Sequence, residues 1–373
     1  MSVPASILLV QLYSNGDCLY ATAVARQIKK DFPGARLTWA ISSSCKSIIA
    51  HNPYVDDVME VTEVQKNDVA AFRRFRKKVV GLKHNGSFDE VFITHNLDRN
   101  HAFYDGSIRS SILKAYPFPV TVPITPVLRL TDAEINNAKI FAEEHELKKY
   151  KNVILFEFAP LSGQLPITKE LAIGIAEDIA VEYEAAVILS SANKITHTNK
   201  AIIDGSQLTL RETAALTHHC TLLLGCSSGI TWISTSDAAK QLPMIQLLNP
   251  NTTWVNPVSR DFERFGLPYE QVIEILEVNR TRIVDCVRLA VKDFAMAREK
   301  FNQPIPLHFK TTRSIVYNLL CYLEFKAIFK HIKVNREVYG HNWAFYKELV
   351  MGFIAAPFTL VNNIVRKRIL RVK

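Results

Sequence analysis

Two short stretches of this chain carry residue types suited to acid–base and anion-binding chemistry. In Ser14-Asn15-Gly16-Asp17 a glycine allows a tight backbone turn, and a short carboxylate stands at the start of a helical pattern. Asp17 is there either an ordinary helix cap or a base that takes a proton from a substrate hydroxyl. In Cys226-Ser227-Ser228-Gly229, small residues join a strand to a helix. Their hydroxyls and amides either cap that helix or cradle a phosphate or diphosphate. The chain has neither a Walker pattern nor Gly-x-Gly-x-x-Gly, which disfavours nucleoside triphosphatase and nicotinamide-dependent hydride chemistry.

Thinner candidates accompany these. His95 and Asn96 end an apolar strand and are expected to point into a cleft, or else to cap and solvate a loop. Glu157 interrupts an apolar strand, as a ligand-binding group or as a buried carboxylate that needs a partner. His218, His219, Cys220 and Cys226 match no metal-ligand spacing, and adjacent histidines point apart on a helix. A zinc site is therefore not expected.

The elements that must position these residues alternate strand and helix. An apolar run at Ile7–Leu12 precedes the Asp17 turn and a helix from Leu19 to Phe32. Strands follow at Arg36–Ile41, Val58–Val61 and Phe88–Thr94, with helices near Ser44–Ala50 and Asp68–Lys77. The proline-rich stretch Pro117–Arg129 marks a boundary, after which Thr131-Asp132-Ala133-Glu134 reads as a capping box for a helix to His145. A second series has strands at Val153–Phe158, Ala186–Ser190, Leu222–Gly225 and Pro243–Leu248, and a weaker segment at Ile195–Ile203. Its helices are Thr168–Tyr183, a Thr209-capped helix to His219, and one from Gly229 to about Ala239. This is an α/β chain of two Rossmann-like halves, divided as 1–130, 131–303 and a tail of 304–373. Parallel sheets of this kind bind ligands at the carboxyl ends of their strands, where both opening motifs fall.

The 373 residues are 48% hydrophobic and 22% charged, which excludes a disordered chain and suits two sizeable cores. The six cysteines form no Cys-x-x-Cys pair and read as reduced thiols. The start Met-Ser-Val-Pro-Ala-Ser lacks the features of a signal peptide, so the expected location is the cytoplasm. Of 45 Lys and Arg against 36 Asp and Glu, residues 304–373 hold 12 and 3, leaving 33 against 33 upstream. With the basic excess confined to the tail, nucleic acid is not an expected partner. The tail reads as helices Ser314–Lys333 and Trp343–Leu370. The second contains 17 uncharged residues, Leu349–Val365, before the basic Arg366–Lys373. Pro357 and the short run argue against a spanning helix. Two expectations remain: attachment to the surface of an anionic membrane, peripheral on its inner face, or packing back onto the domains.

Taken in order, several of these stretches resemble the heptosyltransferase-like glycosyltransferases, glycosyltransferase family 9. They are Ile7 to Asp17 with Ala21–Ala25 and Lys30-Asp31-Phe32-Pro33, His51-Asn52-Pro53-Tyr54-Val55-Asp56, Leu208–Leu216, and Leu224–Thr231 with Leu242-Pro243. The likeness spans about residues 5–250. It implies a GT-B fold, two Rossmann-like domains facing a cleft, and an inverting transfer that needs no metal and no cofactor. The implied substrates are a nucleotide-sugar and a glycan or lipid-linked glycan acceptor, such as a lipopolysaccharide or capsule precursor. It implies Asp17 as the base, with Ser14, Asn15, Gly16, His95 and Asn96 on the acceptor side. Glu157, Ser162, Gln164, Ser227, Ser228, Gly229 and Thr231 are implied on the donor side, with amides at 227–229 stabilising the departing diphosphate. Two departures stand out: where the family has Asp-[Ser/Thr]-Gly-x-x-His this chain has Ser227 and Trp232 at the Asp and His positions, and Gly163-Gln164-Leu165-Pro166 replaces Lys-x-Trp-Pro. They leave open a different donor, a nucleotide-sugar epimerase of the same fold, or an inert glycan-binding relative that tethers a complex to the membrane.

Overall fold

The structure is a computed structural model that describes residues 5–159, 165, 167–182, 184–251 and 257–355. Two separate parallel sheets divide the chain. The first has the order β3-β2-β1-β4, from β1 (Ser6–Val10), β2 (Arg36–Ser42), β3 (Asp57–Val61) and β4 (Glu90–Ile93). Alternation along β1 sets its two faces. Ile7 and Leu9 pack with α1 (Asn15–Asp31), whereas Leu8 and Val10 pack with Phe72, Phe75 and Val79 of α2 (Val69–His84). A turn at Asp98–Phe103 and α3 (Ile108–Ala115) complete this half.

The second sheet has the order β10-β9-β8-β5-β6-β7. Its strands are β5 (Asn152–Glu157), β6 (Ala185–Ser190), β7 (Ile202–Asp204), β8 (Leu222–Gly225), β9 (Met244–Leu247) and β10 (Val272–Ile275). On one face lie α4 (Asp132–Glu144) and α6 (Leu210–Leu216); α5 (Lys169–Glu182) and α9 (Arg280–Ala290) cover the other. Both expected capping boxes are present, Thr131 with Glu134 and Thr209 with Glu212. Arg211 of α6 pairs with Glu134 at 2.6 Å, so the two caps also hold each other. The helices α7 (Gly229–Ile233), α8 (Val258–Arg264) and α10 (Phe294–Phe301) finish this half.

Three expectations need correction. The helix after Gly229 is five residues long rather than reaching Ala239. The hydroxyls of Ser234 and Thr235 turn back to the carbonyls of Ile230 and Trp232 at 2.8 and 2.7 Å, competing with helix continuation. The expected single helix Ser314–Lys333 is α11 (Lys310–Cys321) and α12 (Phe325–Tyr339), broken at Leu323, which has φ 58°. Arg73 holds this corner by stacking on Tyr322 at 4.2 Å and pairing with Glu324 at 2.6 Å. The segment 195–203 is strand only at its end. The last expected helix is present over 343–355, as α13, and its remainder lies outside the described residues.

The two halves are locked together by a buried charge cluster. Arg109 of α3, 1% exposed, pairs with Asp261 of α8 at 3.1 Å and lies against the rings of Tyr20, Trp232 and Phe265 at 4.6, 5.7 and 5.6 Å. Asp261 also accepts from the Ser107 hydroxyl at 3.0 Å, and Arg264 pairs with Asp105 at 2.6 Å. Removing one partner of such a pair strands the other charge in an apolar cage. Asp261→Ala is therefore expected to destabilise the protein by about 3–5 kcal/mol, measured by urea unfolding.

Candidate functional site

A cleft of about 700 Å³ runs between the carboxyl ends of the two sheets. Ser14, Asn15, Gly16, Asp17 and Asn96 line it from the first half, and Glu157, Ser227, Ser228 and Gly229 from the second. The start of α1 and the turn into α7 approach each other closely. A Cβ on Gly16 would meet Trp232 Cδ1 at 3.0 Å, and one on Gly229 would lie 3.7 Å from Asn15 Cβ. Trp232 thus serves as a cross-domain contact, packing edge-on against Tyr20 at 5.1 Å. This is what the chain does with the residue that departs from the expected histidine.

Asp17 falls in the first turn of α1, and the cap position, Ser14, makes no side-chain cap bond. Among the described residues the Asp17 carboxylate has no hydrogen-bond donor. Burial pushes it up to about 7, partly opposed by the charge of Lys66 and reinforced by Cys45. A carboxylate near 7 is half ionised at neutral pH and suited to accept a proton. Asn15 Oδ1 is buried in the same turn without a partner among the described residues. Asn96 is held by the Ser111 hydroxyl at 3.1 Å.

On the opposite wall Glu157, 3% exposed, takes hydrogen bonds from the Ser228 hydroxyl, from Thr231 Oγ1 at 3.3 Å, and from backbone amides of Cys226, Ile230 and Thr231. Burial still pushes it up to about 7. Thr231 is buried behind it and shares Gln246 Oε1, at 3.2 Å, with the Ser227 amide at 2.7 Å. These bonds revise the diphosphate cradle expected at 227–229. The Ser227 amide is committed inside the protein, and Ser228 and Gly229 are the amides of this turn without an acceptor among the described residues.

His95 is not in the cleft. It is buried against the Phe72 ring at 5.0 Å, with Nδ1 3.3 Å from Gln11 Nε2, and burial lowers it to about 3. The apolar face on which α2 packs claims it first. His101 lines the cleft instead, buried and lowered to about 4, along with Tyr20, Asn67 and Asn318. The sequence signal for His101 was its place after a strand's carboxyl end, but for Asn318, more than 80 positions beyond every other residue lining the cleft, there was none. Ser162 and Gln164 lie outside the described residues. A separate depression of about 770 Å³, with an aliphatic base that includes Leu128, Ile135 and Ala142 and charged residues such as Lys139, Glu143 and Lys149 around it, lies away from these groups.

No family model matches the sequence, and no curated protein matches it. Solved structures do match. A family 9 glycosyl transferase from Veillonella parvula aligns with 80% of this chain and 96% of its own, at 16% identity and a TM-score of 0.52. The ADP-heptose LPS heptosyltransferase II of E. coli aligns with 78% of this chain and 99% of its own, at 12% identity and a TM-score of 0.51. The fold is GT-B. The cleft between the sheets is the interdomain cleft of that fold, with Asp17 on one wall and Glu157 on the other.

A folded-state carboxyl raised above its ordinary value binds its proton too tightly, so the native state loses stability as pH rises from the ordinary carboxylate range through about 7. Asp17→Asn removes that cost. The excess of the variant's melting temperature over that of the wild type is expected to be larger at pH 8 than at pH 4.5, by thermal unfolding at both.

Proposed function

We propose that the protein is an inverting glycosyltransferase that moves a sugar from a nucleotide-sugar to a surface-glycan precursor of the lipopolysaccharide or capsule type. The observation that carries this reading is the placement of Asp17 across a single cleft from the Ser228-Gly229 turn, in a fold shared with a heptosyltransferase. Asp17 takes the proton of the acceptor hydroxyl as that oxygen attacks the anomeric carbon. The bond from that carbon to the diphosphate oxygen breaks on the opposite face, and its electron pair leaves with the nucleotide. The amides of Ser228 and Gly229 are the groups offered to the leaving phosphates. Asn15 Oδ1 and Asn96 orient acceptor hydroxyls.

The reaction is proposed to run without a metal or other cofactor. The test is a thermal-shift panel of ADP, GDP, UDP, CMP and dTDP with their sugar conjugates, each with EDTA. One nucleotide family is expected to raise the melting temperature in EDTA, and a panel without any shift would contradict the reading. Asp17→Asn is expected to keep that shift while turnover falls by about 10²–10⁴.

The acceptor side is proposed to face an anionic membrane through the tail. Ten of the 17 exposed large apolar side chains among the described residues lie between Leu307 and Ile354. In α12, Phe325 and Phe329 are interleaved with Lys326, Lys330 and Lys333; in α13, Trp343, Lys347, Val350 and Ile354 share a face. The buried sides of α11 and α12 pack on Ala102 and Tyr104, beside His101. Packing on the domain and offering a face outward are thus both features of this tail. No helix of the described residues is long and apolar enough to cross a membrane. In flotation, full-length protein is expected to rise with phosphatidylglycerol-containing vesicles and not with neutral ones. Phe329→Glu with Trp343→Glu is expected to abolish this, and equal flotation of that variant would contradict the proposal.

A further inference from the structure

Glu157 is a buried titratable group that the transfer chemistry leaves unused, and its surroundings restrict what the cleft accepts. The described residues lining the cleft include two carboxylates, Asp17 and Glu157, and no lysine or arginine. An ionised Glu157 holds the Ser228 hydroxyl as donor. Ser228 then presents only oxygen lone pairs to the cleft, which repel a phosphoryl oxygen and suit a neutral ligand's O–H or N–H.

We propose that Glu157 gates the charge of the ligand: when protonated it donates to Ser228 Oγ, which frees the Ser228 hydroxyl to donate to a phosphoryl oxygen, so that a diphosphate enters this cleft with uptake of one proton. The proton comes from solvent and remains on Glu157 while the anion is bound. This rests on the transferase reading and adds a regulation of the same site.

The groups around Glu157 leave it as the one that titrates on this wall. From β6, Ser190 is its register partner; from β8 and its turn, Cys226 donates through Sγ to the Glu157 main-chain oxygen at 3.2 Å and is held protonated by burial. From α7 come Ser228 and Thr231, and from β9 Gln246, none of them ionisable. Across the cleft Asp17, with Lys66 near it, is the other titrating carboxylate. A gate at Glu157, which burial raises to about 7, weakens anion binding about tenfold between pH 6 and pH 8.

The test uses inorganic pyrophosphate, which is independent of the nucleotide base, titrated calorimetrically into the full-length protein from pH 6 to 8.5. Wild type is expected to lose about tenfold more affinity than Glu157→Gln from pH 6 to pH 8, the variant binding more tightly at pH 8. Asp17→Asn removes the other carboxylate facing the anion and is expected to bind more tightly at pH 8 while still losing more affinity from pH 6 to pH 8 than the double variant Asp17→Asn/Glu157→Gln, which assigns the remaining proton to Glu157. In two buffers of different ionisation heat, wild type is expected to take up close to one proton more than Glu157→Gln at pH 8 and almost none more at pH 6, the subtraction removing the protons that pyrophosphate itself exchanges in this range. Parallel profiles for wild type and Glu157→Gln, equal losses in Asp17→Asn and the double variant, absence of the extra proton uptake, or failure of both wild type and Glu157→Gln to bind pyrophosphate would each overturn the gate. The nucleotide panel judges the transferase reading separately.

Discussion

The cleft exists because Arg109 and Asp261 are buried together between the two halves. An arginine with three aromatic rings around it and one carboxylate beside it has no solvent to fall back on, so the ion pair holds α3 against α8. Tyr20 and Trp232, two of those rings, also floor the cleft. The charge pair therefore sets the distance between the Asp17 turn and the Ser228 turn. Gly16 follows from the same constraint, since a Cβ there would crowd Trp232 at 3.0 Å.

Closing two walls at this distance removes water from the carboxylates on them. Asp17 and Glu157 are both raised to about 7, in each case chiefly by burial. Their hydrogen bonding separates their roles. Glu157 is surrounded by donors from its own domain and acts on the polarity of Ser228. Asp17 has none among the described residues and keeps its lone pairs for a substrate. Two carboxylates of similar acidity are thus given different tasks by what surrounds them.

Much of this was legible in the sequence where local physics decides. The alternation of apolar runs and caps marked the four strands of the first sheet and most of the second but not its edge strand β10, and Thr131 and Thr209 marked their helices because the capping box is a local interaction. Nine of the site residues expected from the sequence meet in the cleft, since loops at strand carboxyl ends face it in this architecture. His95 was misplaced because a one-residue step along a strand end changes the face to which a side chain points. Long-range contacts were invisible: nothing near Asn318 signals that α11 reaches the cleft, and nothing near Arg109 signals its partner 152 positions later. The break at Leu323 depends on Arg73, 250 positions earlier, and was equally hidden. The use of cradle amides by Glu157 and Gln246 needed three-dimensional structure for the same reason.

The account's central claim is single displacement across the cleft with Asp17 as base, and the anomeric configuration of the product tests it most directly. Product formed from the nucleotide-sugar that binds would be followed by proton NMR of the transferred sugar from the first turnovers, beside Asp17→Asn. The account predicts an inverted anomeric centre in the wild type and almost no product in the variant. A retained configuration, an isomerised sugar still attached to its nucleotide, or undiminished turnover in Asp17→Asn would contradict it.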